Sequence, residues 1–122
     1  MQGSKYKSIR CTRDGFNFDS LLEGDVYLAL KALKTKGEIR NIALQVPFPL
    51  RAKGGAVVGK YVADFTCVLS TGELIVVEAK GSQTSLWKWK HKHFVSDYPN
   101  IRLVVVFRRH IKTIGKMLMK RK

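Results

Sequence analysis

The chain has 122 residues, enough for one domain built around a single core. Its 45% hydrophobic content predicts a folded globular protein, and no apolar run approaches the ~20 residues needed to span a bilayer. With 23 Lys and Arg against 9 Asp and Glu, the formal net charge of +14 favours a polyanionic partner, nucleic acid ahead of an anionic membrane surface.

Residues 1–15 read as a basic, extended or mobile arm. In it Lys5, Lys7, Arg10 and Arg13 either contact DNA or simply keep the terminus soluble. The stretch MQGSKYKSIR lacks the apolar core of a signal peptide, so a cytoplasmic protein is expected. Cys11 and Cys67 lie far apart without metal-ligand spacing, and no disulfide is required. Asp19 and Ser20 open a helix over 19–35, whose buried stripe is Leu22, Val26, Leu30 and Leu33 and whose end is Gly37. Ser20-x-x-Glu23 is a capping box, which explains Glu23 structurally; the same helix can also aim Glu23 at a site near a sheet end.

Residues 40–50 look like an edge strand, because Pro47 and Pro49 limit its ladder bonding. Gln45 on it is polar without a defined role. The basic, Gly-rich RAKGGAVVG that follows carries Arg51 and Lys53. It is either a phosphate-embracing loop or a flexible hairpin tip. Strands are predicted over 57–68 and 73–80, joined by a tight turn at Ser70-Thr71-Gly72.

Asp64 lies on the first of these strands, and Glu78-Ala79-Lys80 closes the second. Side chains alternate along a strand, so Glu78 and Lys80 share a face, and the turn brings Asp64 alongside. Ionisable groups in such apolar strands are expensive to bury unless paired or bound to metal. Two carboxylates suit Mg²⁺ or Mn²⁺, and a lysine beside them can orient water or neutralise a phosphate.

Thr84 caps a helix over 84–97 that interleaves Trp87, Trp89 and Phe94 with Lys88, Lys90 and Lys92. Trp87 and Phe94 are expected on the sheet. The three lysines suit phosphates, as does Lys60 on the preceding strand, and Trp89 suits stacking on a base. Gln83, just before the helix, suits a phosphate or a bound water, or simply a helix start. His91 and His93 stand two apart on a helix, so they diverge and no zinc site is expected. Residues 101–107 form an apolar run typical of a buried strand covered on both faces. A basic amphipathic helix over 109–120 carries Ile111, Ile114 and Leu118 on one side; covering the sheet ranks ahead of a dimer contact, a DNA-gripping tail or a membrane-surface helix. The predicted order is α-β-β-β-α-β-α in one α/β (α+β) domain spanning 1–122. Its mixed four-stranded sheet is flanked by helices, and its last two strands are parallel through a helical crossover.

The stretches DGFNFDSLLEGDVYLAL, GEIRNIALQVPFPL, YVADF and LIVVEAKG, with the following T-x-x-W-x-x-K helix, resemble the PD-(D/E)xK nuclease superfamily. The resemblance covers roughly residues 5–107 and is closest to small bacteriophage-encoded endonucleases of RecB-like, Holliday-junction-resolvase-like type. Ala63 stands where the motif's proline would be, and Gly24 where alanine is more usual after the helix glutamate. The resemblance implies a restriction-endonuclease-like core. It implies that Asp64, Glu78, the Ala79 carbonyl and Glu23 bind Mg²⁺ or Mn²⁺, with Lys80 activating water. The expected function is a metal-dependent endodeoxyribonuclease hydrolysing phosphodiesters by a metal-activated water and leaving 5′-phosphates. It would act as a homodimer on branched DNA, in the host bacterial cytoplasm if phage-encoded. The alternatives are a nicking or restriction-like nuclease on duplex DNA, and a non-catalytic DNA-binding module of the same fold.

Overall fold

A hydroxyl side chain starts each of the two long helices, because it can accept one of the first-turn N–H groups that no carbonyl reaches. In the computed structural model, which describes residues 9–81 and 84–120, Ser20 caps α1 (Leu21–Thr35) and Thr84 caps α2 (Ser85–Asp97). Ahead of α1 stand β1 (Cys11–Arg13) and β2 (Phe16–Phe18). Between the helices run β3 (Ile39–Arg51), β4 (Val57–Leu69) and β5 (Leu74–Ala79). β6 (Arg102–Val106), a 3-10 segment (Arg108–Thr113) and α3 (Ile114–Met119) follow α2.

The chain is a mixed α+β fold with a four-stranded mixed sheet in the order β3-β4-β5-β6. The first two pairings are antiparallel and β5–β6 is parallel, with α2 in the crossover. The β4–β5 turn falls as expected, with Gly72 at φ +96°. Alternation along β5 divides the core into two layers. Ile75 and Val77 join Val26, Leu30 and Leu33 of α1 and Ile114 and Leu118 of α3. Val76 between them joins Leu50, Tyr61 and Phe94 beneath α2. Among the described residues no helix is long and apolar enough to cross a membrane.

Three expectations are corrected. Residues 11–15, expected in the extended or mobile arm, instead form the β1–β2 hairpin with residues 16–18, turned at Asp14 (φ +54°) and Gly15 (φ +82°). Asp14 holds that turn to α1 by accepting from the Tyr27 hydroxyl and the Lys31 ammonium, both at 2.8 Å. β6 is an edge strand whose Leu103 and Val104 reach opposite layers and remain half-buried, so the apolar run reflects contact on both faces without a central place. The C-terminal helix is broken into the 3-10 segment and a short α3. Gly115, inside α3, meets Leu33 so closely that a Cβ there would stand 3.0 Å from a Leu33 methyl. Of the two readings of the Gly-rich loop the hairpin tip holds, and the strand predicted from residue 57 does begin at Val57.

Candidate active site

β4 and β5 pair regularly from Val68–Leu74 to Phe65–Val77, and then the sheet divides. β4 continues beside β3, while β5 continues beside β6, where Lys80 N–H donates to the Val106 carbonyl at 3.0 Å. At the parting point side chains replace the backbone ladder. Asp64 N–H donates to Glu78 Oε1 at 3.0 Å, and Ala79 N–H donates to Asp64 Oδ2 at 2.9 Å. On β3, Gln45 faces this level in the left-handed region (φ +51°), between the pairs Leu44–Phe65 and Val46–Ala63. A left-handed non-glycine residue is uncommon, yet the β3–β4 register runs on evenly through it.

Both acids are sequestered, Asp64 at 9% exposure and Glu78 at 3%. Burial, then the Glu78 charge, pushes the Asp64 carboxyl up to about 7, although the Ala79 N–H and Lys80 oppose this. Glu78 is also raised, by burial, against the Asp64 N–H and Lys80. Glu23 enters from the first turn of α1. Its N–H donates to Ser20 Oγ at 3.0 Å, and its Oε1 accepts from Asp19 N–H at 3.2 Å, so it closes the capping box one residue early. Burial, followed by the Asp64 charge, pushes the Glu23 carboxyl up to about 7. Capping and facing the acids are therefore compatible roles. Gly24 is explained locally, because a Cβ there would lie 2.6 Å from Cys11 Sγ.

Lys80 Nζ stands 3.9 Å from Glu78 Oε2 and 5.0 Å from the centroid of the Trp87 ring. The four residues expected at one site thus do converge. Asp64 is the centre of the acids, with Glu78 on one side and Glu23 on the other. Among the described residues, no three His, Cys, Asp or Glu side chains close around one point for an ion. Asp64 and Glu78 each spend one oxygen on a backbone N–H and keep the other, hard-oxygen chemistry that suits Mg²⁺ or Mn²⁺ better than a soft metal. Their suppressed ionisation is what a cation would reverse.

The basic candidates are spread more widely. Lys88 and Lys92 are exposed on α2 with Trp89, which is 58% exposed, and Lys90 is half-buried. Arg51, Lys53 and Lys60 are exposed on the β3–β4 hairpin, where Arg51 N–H also donates to Asp97 at 2.8 Å. Arg10 and Arg13 have internal carboxylates instead, Asp19 at 3.8 Å and Asp25 at 3.6 Å. Asp25 also accepts from Arg108 at 2.5 Å. Lys5, Lys7 and Gln83 lie outside the described residues. His93 lies 3.4 Å from Asp97, while His91 packs on the Trp87 ring. Tyr61, given no role in the sequence, feels the charges of Glu78 and Asp64 and is buried in the layer of Leu50, Ala63, Val76 and Phe94.

No curated protein and no solved structure matches the chain. A family model does match, over residues 3–113; its description is a protein of unknown function, and the chain belongs to that family, DUF1064.

Proposed function

We propose that this protein is a divalent-metal-dependent endodeoxyribonuclease with a restriction-endonuclease-like core of the PD-(D/E)xK type. Its favoured substrate is branched DNA of the Holliday-junction kind, met in phage DNA processing in the cytoplasm and cut by a homodimer. The observation that carries this reading is the buried Asp64–Glu78 pair at the parting of β4 and β5, with the Lys80 ammonium 3.9 Å from Glu78. A purely structural ion pair leaves the second buried acid unexplained, since removing charge from water is expensive without compensation.

Asp64 and Glu78 are the residues that would hold Mg²⁺ or Mn²⁺, with Glu23 and the Ala79 carbonyl as further oxygen donors. The cation would supply positive charge at the phosphate and acidify the attacking water. Lys80 would orient that nucleophile or neutralise a phosphate oxygen. The exposed lysines of α2 and the β3–β4 hairpin would grip the backbone, which suits recognition by shape and charge over base identity.

The second reading is a DNA-binding module that does not cut. It draws on the lack, among the described residues, of three carboxylates closed around one point. A four-way junction, a fork, linear duplex and single strand, each with Mg²⁺ or EDTA and beside Glu78→Gln, separate these. Paired Mg²⁺-dependent cuts at the junction alone support the resolvase. Equal cutting of linear duplex replaces it with a nicking or restriction-like enzyme, and binding without cutting leaves the module.

A further inference from the structure

Two polar atoms beside the acids have no evident purpose. Tyr61 is 2% exposed, yet its hydroxyl has no hydrogen-bond partner among the described residues, and neither has the buried Nε1 of Trp87. An unmade buried hydrogen bond costs about 1–3 kcal/mol, so two neighbouring donors left open call for an explanation. Both atoms are sealed from solvent, so a substrate oxygen cannot reach them and they must act through other side chains.

Their surroundings say which ones. Glu78 is the charge that most affects the Tyr61 hydroxyl, and the Trp87 indole is close enough to affect it as well. The other face of this arrangement is the Lys80 ammonium, 5.0 Å from the Trp87 ring centroid and 3.9 Å from Glu78 Oε2. Tyr61 is itself wedged on Phe94, with ring centroids 4.9 Å apart, so its ring has little freedom to turn away.

We propose that Tyr61 and Trp87 are positioning residues for Glu78 and Lys80. The Trp87 ring carries the Lys80 ammonium on its face, and in the working site the two donors left open here close into a chain, the Trp87 N–H donating to the Tyr61 oxygen and the Tyr61 O–H to the Glu78 carboxylate. One indole thereby fixes the carboxylate through its edge and the lysine through its face. The residue before β4 enters the acid site and the first turn of α2 become part of one unit. Outer partners of a metal-binding carboxylate typically matter by 10–100-fold in activity. The catalytic half of this inference rests on the nuclease reading; the contacts themselves do not.

Tyr61→Phe and Trp87→Phe keep both rings and remove one donor each. Each is expected to lower kcat on junction DNA about tenfold with KM within twofold, and the double variant is expected to lose no more than the worse single one. Unchanged kcat in Tyr61→Phe, or losses that simply multiply, overturns the chain to Glu78. The face contact is read separately. The chain has 2 tryptophans, so in Trp89→Phe the emission is that of Trp87 alone. Adding Lys80→Met is expected to shift or brighten that emission, and an unchanged spectrum overturns the contact with Lys80. If the unaltered protein cuts none of the DNAs while the emission still responds, the nuclease reading and with it the catalytic role fall, and the contact stands.

Discussion

The two helical layers on the sheet are built for different work. α1 buries Leu22, Gly24, Val26, Tyr27, Leu30 and Leu33 against the larger core. α2 buries Phe94 alone and leaves Leu86, Trp89 and Val95 to solvent beside Lys88 and Lys92. The first layer keeps the sheet in place. The second is a thin cover whose outward aromatics and lysines add little to stability, which is what a surface kept for a partner looks like. The acids sit where both layers meet, Glu23 arriving from one and the Lys80–Trp87 contact from the other.

That contrast can be broken at four levels. The largest effect is expected at the seam. Glu78→Gln or Asp64→Asn should lower junction cleavage by more than about 100-fold, beyond the usual range for outer partners, with DNA affinity retained in a gel-shift assay. Normal turnover in either would remove the acids from the chemistry.

Next comes the packed layer. Leu30→Ala, at a fully buried position, should cost about 2–5 kcal/mol in urea unfolding. Trp89→Ala on α2 should stay within about 0.5 kcal/mol while weakening DNA binding. Equal losses of stability would erase the distinction between the layers.

The third test is pH. Unfolded carboxyls titrate near ~4, whereas Asp64 and Glu23 hold their protons up to about 7 in the fold. Between those values the native state binds protons that the unfolded chain has released. The contribution is therefore full below the unfolded value and is lost as pH rises through about 7. Urea midpoints of the metal-free protein should fall across that window, and Asp64→Asn should flatten the fall. A midpoint that rises with pH in both proteins would contradict the burial of these acids.

The smallest effect is the salt response. Log affinity for duplex DNA should fall by ~0.9 per log salt for each phosphate neutralised, so Lys88→Ala with Lys92→Ala should reduce the slope by ~2. An unaltered slope would move the contact surface off α2.

Much of the site was readable in the sequence because it depends on local rules. Period-2 alternation and a glycine turn put Asp64 near Glu78 and Lys80, and the Ser20 and Thr84 caps set the helix starts. The β1–β2 hairpin was missed although Asp14-Gly15 is a strong turn signal, since its three-residue strands carry too little apolar pattern to stand out among the basic residues. β6 is less buried than its sequence predicts for a different reason. A run of valines says that both faces are covered, but not whether a further strand lies beyond. Nothing local marks Tyr61, and Trp87 reads only as a residue packed on the sheet, because which groups they approach depends on how α2 lies across β4.

The seam at Asp64 and Glu78 also constrains how a lineage could lose the chemistry proposed for it. Each carboxylate completes the other strand's backbone, so an amide, which still accepts a hydrogen bond, silences the acid and spares the ladder. Alanine at either position would leave a buried N–H orphaned in the middle of the sheet. Inactive descendants are therefore expected to decay through asparagine and glutamine, and a library selected only for folding should show that bias at positions 64 and 78.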